Sequence, residues 1–436
     1  MRPLLINIRK IFVTDLFKVS FLNGIATLIK MLAGLASIKV VAAIIGPSGI
    51  ALLGQLNNFT QIMLSISNGG IINGITKYLS QTKDSGKKYL FYMGTAFWIT
   101  LVLSLLSGLI MFVFATYFSN LILHTPDYSL VFRIFGVTIV FYAMNALLLA
   151  AINGFKEYRK YVKVNIISSL VGLAFSVILC LYFGLMGALI AAVTSQSVVF
   201  FLTLAMVARS RWFQWPALSG MFSRTVLKQL AHFSLMAIVT AIIVPVSQIF
   251  VRGFVTDFRS VNDAGLWEGM NRVSSMYLYV IMTSLSVYYL PKLAELKTNY
   301  EVRNEIINVL RLIIPFMVIS GLVIYMLRDQ VIHILFTPEF EKMRDLFALQ
   351  LAADTIKMSS WVLGFVMVAR AMTKSYIIME VLHCTLFVLI GRFLVPVMGG
   401  QGAITGYLVS QLVYLVWVAF ILRKVIFAHD TKRDNT

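Results

Sequence analysis

Lys30 lies about ten residues inside a long apolar run, too deep to reach the membrane surface easily. It shares one helical face with Asn23, Thr27 and Gly34. A lysine at the centre of a membrane helix costs roughly 2.5–3.5 kcal/mol, so it needs a wet cavity, a partner or a role. The chemistry open to it is electrostatic: a fixed cation in a poorly polarisable setting suits an anion such as phosphate. Lys39, nine residues on and near the far end of the run, is expected to snorkel to the surface. Asn57, Gln61, Ser65 and Asn68 form a second polar stripe, followed by Gly69 and Gly70, where a backbone or a sugar can approach closely. Such a stripe either lines a cavity or binds helices to each other, and both readings stand. Arg133, near the outer end, and Asn145 add to this first half. The expected membrane spans of this half contain no acid.

The second half mixes signs. Glu268, Asn271, Arg272, Ser275 and Tyr279 follow one helical face, as do Gln350, Asp354, Lys357 and Trp361. Glu380 and His383 stand three apart, with Arg392 further out, and Gln248 and Arg252 follow Pro245, where a bend is expected. Charges three or four apart on a helix can simply cancel. The functional alternative is that Asp354, Glu380 or Glu268 takes up and releases a proton or sodium ion. Cys180 and Cys384 fall inside apolar spans without an expected metal or disulfide partner, and His124, His333 and His429 lie outside the spans. No catalytic triad, carboxylate dyad or phosphate loop is present in the sequence, so neither an enzyme nor a cofactor is expected.

The elements that position these residues follow from composition. Of 436 residues, 59% are apolar and 13% charged, against roughly 25% charged in a soluble domain. With ~20 apolar residues per crossing, the chain supplies about twelve helices. A barrel is excluded by the uncharged stretch from Val164 to Ala208. Spans are expected near 20–45, 50–76, 89–116, 129–152, 162–183, 185–208, 231–256, 264–290, 304–327, 342–369, 375–396 and 402–422. The net charge of +19 comes from 37 basic and 18 acidic residues. Basic residues crowd both tails and alternate connections, as at Arg9 and Lys10, Lys156 and Arg159, or Arg423 and Lys424. Intervening turns such as Gly46-Pro47-Ser48-Gly49 and Met398-Gly399-Gly400-Gln401-Gly402 are uncharged. This places both tails in the cytoplasm and explains the charge without nucleic acid. Membrane lipids are the expected surroundings.

Shifting the chain by 215 residues aligns Arg159 to Arg209 with Lys374 to Lys424, pairing Gly184 with Gly399, Gly187-Ala188 with Gly402-Ala403 and Ser195-Gln196 with Ser410-Gln411. With small gaps, Thr125-Pro126-Asp127 meets Thr337-Pro338-Glu339. A duplication of six spans gives a parallel repeat related by a pseudo-two-fold axis along the membrane normal, a plan suited to alternating access. The expected division is an N-terminal lobe over 1–210, a cytoplasmic linker over 211–230 containing Trp212, Trp215 and Pro216, and a C-terminal lobe over 231–436.

The stretches Thr27-Leu28-Ile29-Lys30, Gly46-Pro47-Ser48-Gly49, Asn73-Gly74-Ile75-Thr76-Lys77-Tyr78, Met343-Arg344-Asp345-Leu346-Phe347 and Gln350 to Lys357 resemble the Wzx lipid-linked oligosaccharide flippases, especially the O-antigen and enterobacterial common antigen members. These belong to the exporter superfamily, abbreviated MOP, that also contains the MATE drug exporters. The similarity runs from about residue 18 to 424. It implies an all-α, MATE-like bundle of two six-helix lobes in the bacterial inner membrane, moving undecaprenyl-pyrophosphate-linked repeat units to the periplasmic leaflet with ion coupling. It also implies polymerase and chain-length-regulator partners. Joined to the residue reading, Lys30 with Arg272 or Lys357 would hold the pyrophosphate, while Asn23, Thr27, Asn57, Gln61, Asn68 and Asn271 would line the cavity. Asp354, Glu380 or Glu268 would carry the coupling cation. A drug exporter would be expected to hold acids in its first lobe, and a glycan polymerase or ligase would need a large outer loop.

Overall fold

The computed structural model describes residues 15–82, 88–210, 212–214, 222–370 and 372–428, with side chains described from Gly24 onward except at 232–233, 235–236, 284, 286–287, 291 and 294. Arg2, Arg9, Lys10, Lys83, Lys87, Arg211, Trp215, Pro216, His429, Lys432 and Arg433 lie outside the described residues. For Lys18 and Asn23 only the helical backbone is described. Among the described residues every regular element is a helix. The long ones are α1 (Asp15–Ser67), α2 (Ile72–Thr82), α3 (Lys88–Val113), α4 (Ser129–Gly154), α5 (Tyr158–Val207), α6 (Arg224–Phe258), α7 (Val261–Glu295), α8 (Asn299–Met326), α9 (Phe347–Ala369), α10 (Thr373–Met398) and α11 (Gly400–Ile421). Hydrocarbon offers backbone groups no partner, and a helix satisfies them within one segment.

Nine helices among the described residues are long and apolar enough to cross a membrane. Two of them are too long for one crossing. At 1.5 Å per residue, α1 and α5 would extend roughly 75–80 Å, more than twice a ~30 Å hydrocarbon core. Each is broken at a glycine: Gly46 in α1 (φ 65°, ψ −169°), followed by Pro47, and Gly184 in α5 (φ 55°, ψ −134°). Splitting both raises the nine to eleven, and α7, 35 residues long, stands beside them as a further long helix. The second expected span, 50–76, is interrupted: α1 stops at Ser67, and Gly69 and Gly70 adopt φ of 56° and 64° before α2 begins. The Gly70 opening is filled by the Ser234 carbonyl and the Ile238 side chain, so a protein backbone makes the close approach there.

The chain forms two compact units, 1–44 with 56–242 and 45–55 with 243–436. In the first, α4 packs on α3, α5 and α2; α3 and α4 close up where Gly108 and Gly136 face each other's carbonyls. Ile75, Leu79, Met93, Leu147 and Leu230 fill its core. In the second, α9 packs on α7, α8 and α11, and α10 on α11, around Tyr289, Val309, Met358, Val362 and Tyr414. The internal repeat is visible within each. A short helix (Ala115–Leu123, Arg328–Leu335), then a Thr-Pro step into a 3-10 turn, precedes α4 and α9. Gly399 (φ 60°, ψ −133°) reproduces the torsions of Gly184. Three residues later, Gly187 faces the Leu179 carbonyl and Gly402 the Leu394 carbonyl, again 215 apart.

Leu105, Leu109 and Phe112 on α3, and Leu312, Phe316, Ile319 and Val323 on α8, point outward with large exposures. Stripes of this kind require lipid as the solvent, and the chain is a multi-pass membrane protein. A Cβ at Gly402 would stand 2.5 Å from the Leu394 carbonyl oxygen, whereas one at Gly399 meets nothing nearer than 3.5 Å. Gly399→Ala should therefore lose stability only through its backbone torsions, a nearly Gly-only region that costs of order 1–3 kcal/mol. Gly402→Ala should lower the unfolding temperature in detergent further, and equal shifts for the two would contradict the close approach.

Candidate functional site

Asp354, in the first half of α9, is fully buried at 0% exposure. Its carboxylate accepts hydrogen bonds from the Ser274 hydroxyl (2.7 Å) and the Tyr277 hydroxyl on α7. Gln350, one turn earlier on α9, donates its amide at 3.0 Å and also reaches Ser274 Oγ at 3.4 Å. Among the described residues Asp354 makes no ion pair. Its partners are all neutral donors, although a buried charge is normally matched by a counter-charge. Of the two readings left open, cancellation by an ion pair with Lys357 three residues on is not found among the described residues: Lys357 extends over the ring of Tyr407 on α11, 5.6 Å from its centroid. From there it interacts electrostatically with both Asp354 and Glu380. Glu380 and His383 on α10 complete the group, His383 packing against the rings of Tyr407 (6.1 Å) and Tyr414 (5.5 Å). Gln350, Asp354, Lys357 and Glu380, drawn from two expected stripes, thus share one site in the second unit.

Glu268 belongs to a different cluster. One oxygen accepts from Arg272 Nε at 3.2 Å and the other from Arg252, a guanidinium that is 2% exposed. Arg252 also donates to Gln55 Oε1 at 3.0 Å and lies 5.5 Å from the Trp267 ring centroid. Gln55 in turn donates to the Ile249 carbonyl at 3.3 Å. Gly54 makes room for this arrangement, since a Cβ there would stand 2.5 Å from the Glu268 carboxyl carbon. Two guanidiniums face one carboxylate, so Glu268 is saturated where Asp354 is not, and the cluster keeps a net charge of +1. Asn271 is half-buried, with its Nδ2 unpartnered.

The remaining expected residues lie on α1 or, for Asn68, just past its end, in the first unit. Lys30, Asn57 and Gln61 are exposed, Thr27 is half-buried, and Asn68 is buried with its Oδ1 unpartnered. Asn145 is buried and donates to Gln196 at 3.1 Å, a helix-to-helix contact. Sequence reasoning missed Ser274, Tyr277 and Tyr407. The α7 pair stands three apart, on the face beside the Glu268-Arg272-Ser275 stripe, and Tyr407 offered no charge to notice. It also missed Gln55, and one statement about cysteine needs correcting. Cys384 does have neighbours at ligand spacing, because Glu380 and His383 precede it by four and one residues and their donor atoms gather on one helix face.

The signature of the polysaccharide biosynthesis protein family matches residues 40–345, more than half of the chain. The chain belongs to that family. The resemblance to Wzx-type transporters noted in the sequence is borne out with it. Relatives of this polysaccharide biosynthesis protein include the lipid III flippases of Escherichia coli (strain K12) and Shigella flexneri, each 29% identical over 400 residues, covering 92% of this chain and 96% of the relative. Solved structures share the fold. An inward-facing MATE family multidrug transporter of the MOP superfamily superposes with a TM-score of 0.75 at 13% identity, covering 91% of this chain and 95% of that one. The lipid II flippase MurJ does so with a TM-score of 0.71 at 13% identity, covering 92% and 89%.

Arg252→Leu should destabilise the protein by roughly 3–5 kcal/mol, because Glu268 would stay buried with one partner removed. The double variant Arg252→Leu/Glu268→Leu should recover most of that loss. Thermal unfolding of the detergent-solubilised set measures the coupling, and simple additivity would mean that the pair is not a unit.

Proposed function

We propose that this chain is a flippase for lipid-linked oligosaccharides in the bacterial inner membrane. It carries undecaprenyl-pyrophosphate-linked repeat units, of O-antigen or common-antigen type, from the cytoplasmic to the periplasmic leaflet by alternating access. Family membership and the lipid III flippase relatives support the substrate class. The observation that carries the mechanism is Asp354: a fully buried carboxylate, held by two hydroxyls and an amide, with no ion pair among the described residues and a lysine nearby.

A carboxylate so placed exchanges a proton or a sodium ion, and Lys357 and Glu380 feel each change of its charge. Moving one charge through 100 mV supplies roughly 2.3 kcal/mol, enough to bias a transfer between similar leaflets. Lys30 is the first unit's cation for the pyrophosphate; Lys357 and Arg272 are the second unit's, and the contact of Arg272 with Glu268 uses only one of its five N–H donors. The amides of Asn57, Gln61 and Asn68 meet the sugar, and the polyprenyl chain remains in lipid. Glu268 serves structure in this scheme, and coupling rests on Asp354 with Glu380.

Two measurements test the reading. Asp354→Asn keeps the size of the side chain and one acceptor oxygen for the Ser274 and Tyr277 hydroxyls, but removes the charge and puts a donor in place of the other oxygen. Proteoliposomes containing it should lose gradient-driven transport of a lipid-linked glycan by at least about tenfold. Wild-type transport indifferent to both pH and sodium gradients would refute coupling. Lys30→Ala in a flippase-deleted strain should abolish surface glycan, and normal display would remove Lys30 from the substrate path.

A further inference from the structure

We propose that Glu380, His383 and Cys384 on α10 form a binding site for a soft divalent metal cation of the zinc or cadmium type. Their donor atoms all lie within 4.8 Å of one another. Spacing of i, i+3 and i+4 keeps them on one helix face, and metal bonds of ~2.0–2.3 Å bridge the gap after small rotamer changes.

Two observations point to a ligand. His383 Nε2 is buried and has no hydrogen-bond partner, a state that buried polar atoms rarely keep. Beside it, the Cys384 thiol is free and 1% exposed, with its sulfur 3.9 Å from His383 Nδ1. The aromatic walls of Tyr407 and Tyr414 close the space around the imidazole.

Charge and softness select the ion. On binding, the Cys384 thiol proton leaves to solvent and a sulfur–metal bond replaces the S–H bond. Thiolate and carboxylate then supply two negative charges to a dication. With Asp354 and Lys357 included, the group is neutral, which the surrounding low dielectric favours. Alkali and alkaline-earth ions prefer all-oxygen shells, whereas thiolate with imidazole favours zinc-like ions. An ion here takes the carboxylate with which Lys357 interacts, so occupancy is felt at the Asp354 cluster. The site stands independently of the transported substrate.

The test is a cadmium titration of the purified full-length protein in detergent, read by the thiolate-to-cadmium charge-transfer band. One equivalent should bind, with zinc competing. The band should vanish in Cys384→Ser and persist in Cys180→Ser. Affinity should fall about tenfold or more in His383→Ala and Glu380→Gln, each having lost one ligand. No band in the wild type, or a band that survives Cys384→Ser, overturns the site. Should Cys384→Ser not fold, alkylation of the wild-type thiol read by mass spectrometry decides: cadmium should slow modification of Cys384 severalfold, and an unchanged rate refutes the proposal.

Discussion

A charge removed from water must be matched where it stands, and the second unit of this protein is organised around two answers to that demand. At Glu268 the answer is complete, with a guanidinium on either side and Gln55 holding one of them. At Asp354 it is deliberately partial: hydroxyls and an amide supply dipoles, and the nearest cation rests on an aromatic ring. The first arrangement is a fastening, since altering any member strands the others. The second is a vacancy of charge, which an arriving cation or proton can fill and leave.

The helical scaffold makes both answers affordable in geometry. Gly54 allows the α1 backbone to come up against the Glu268 carboxyl group, and Gly265 admits the Pro47 carbonyl beside it. A methyl at either place would hold the backbones apart, and the side chains could not reach. Segment 45–55 therefore belongs to the second unit although the sequence on both sides of it belongs to the first.

Much of this was legible in the sequence. Apolar length gave the helices, the 215-residue offset gave the repeat, and uncharged glycine turns gave the break at Gly46 and the bends at Gly184 and Gly399. Polar residues inside apolar runs gave Asp354, Lys357, Glu380 and Glu268. What spacing along one helix does not reveal is the neighbour. Asp354 looked paired with Lys357 because they are three apart, yet Ser274 and Tyr277, some eighty positions earlier, reach it first. Arg252 appeared only as a residue beyond a proline bend, and Gln55 not at all, because their meaning arises when separate helices meet. Contiguity misled once more at Cys384, where an apolar setting hid the glutamate and histidine beside it.

The repeat has one further consequence. At the 215-residue offset, Asn165, Ser168 and Ser169 of α5 occupy the places of Glu380, His383 and Cys384. There Asn165 donates to the Tyr161 carbonyl and Ser169 to the Asn165 carbonyl, both within their own helix. One copy of the repeat thus holds uncharged side chains at places where its twin holds ionisable groups. The molecule carries its own blank, and exchanging these three positions between copies would ask how little chemistry separates an inert helix from a working one.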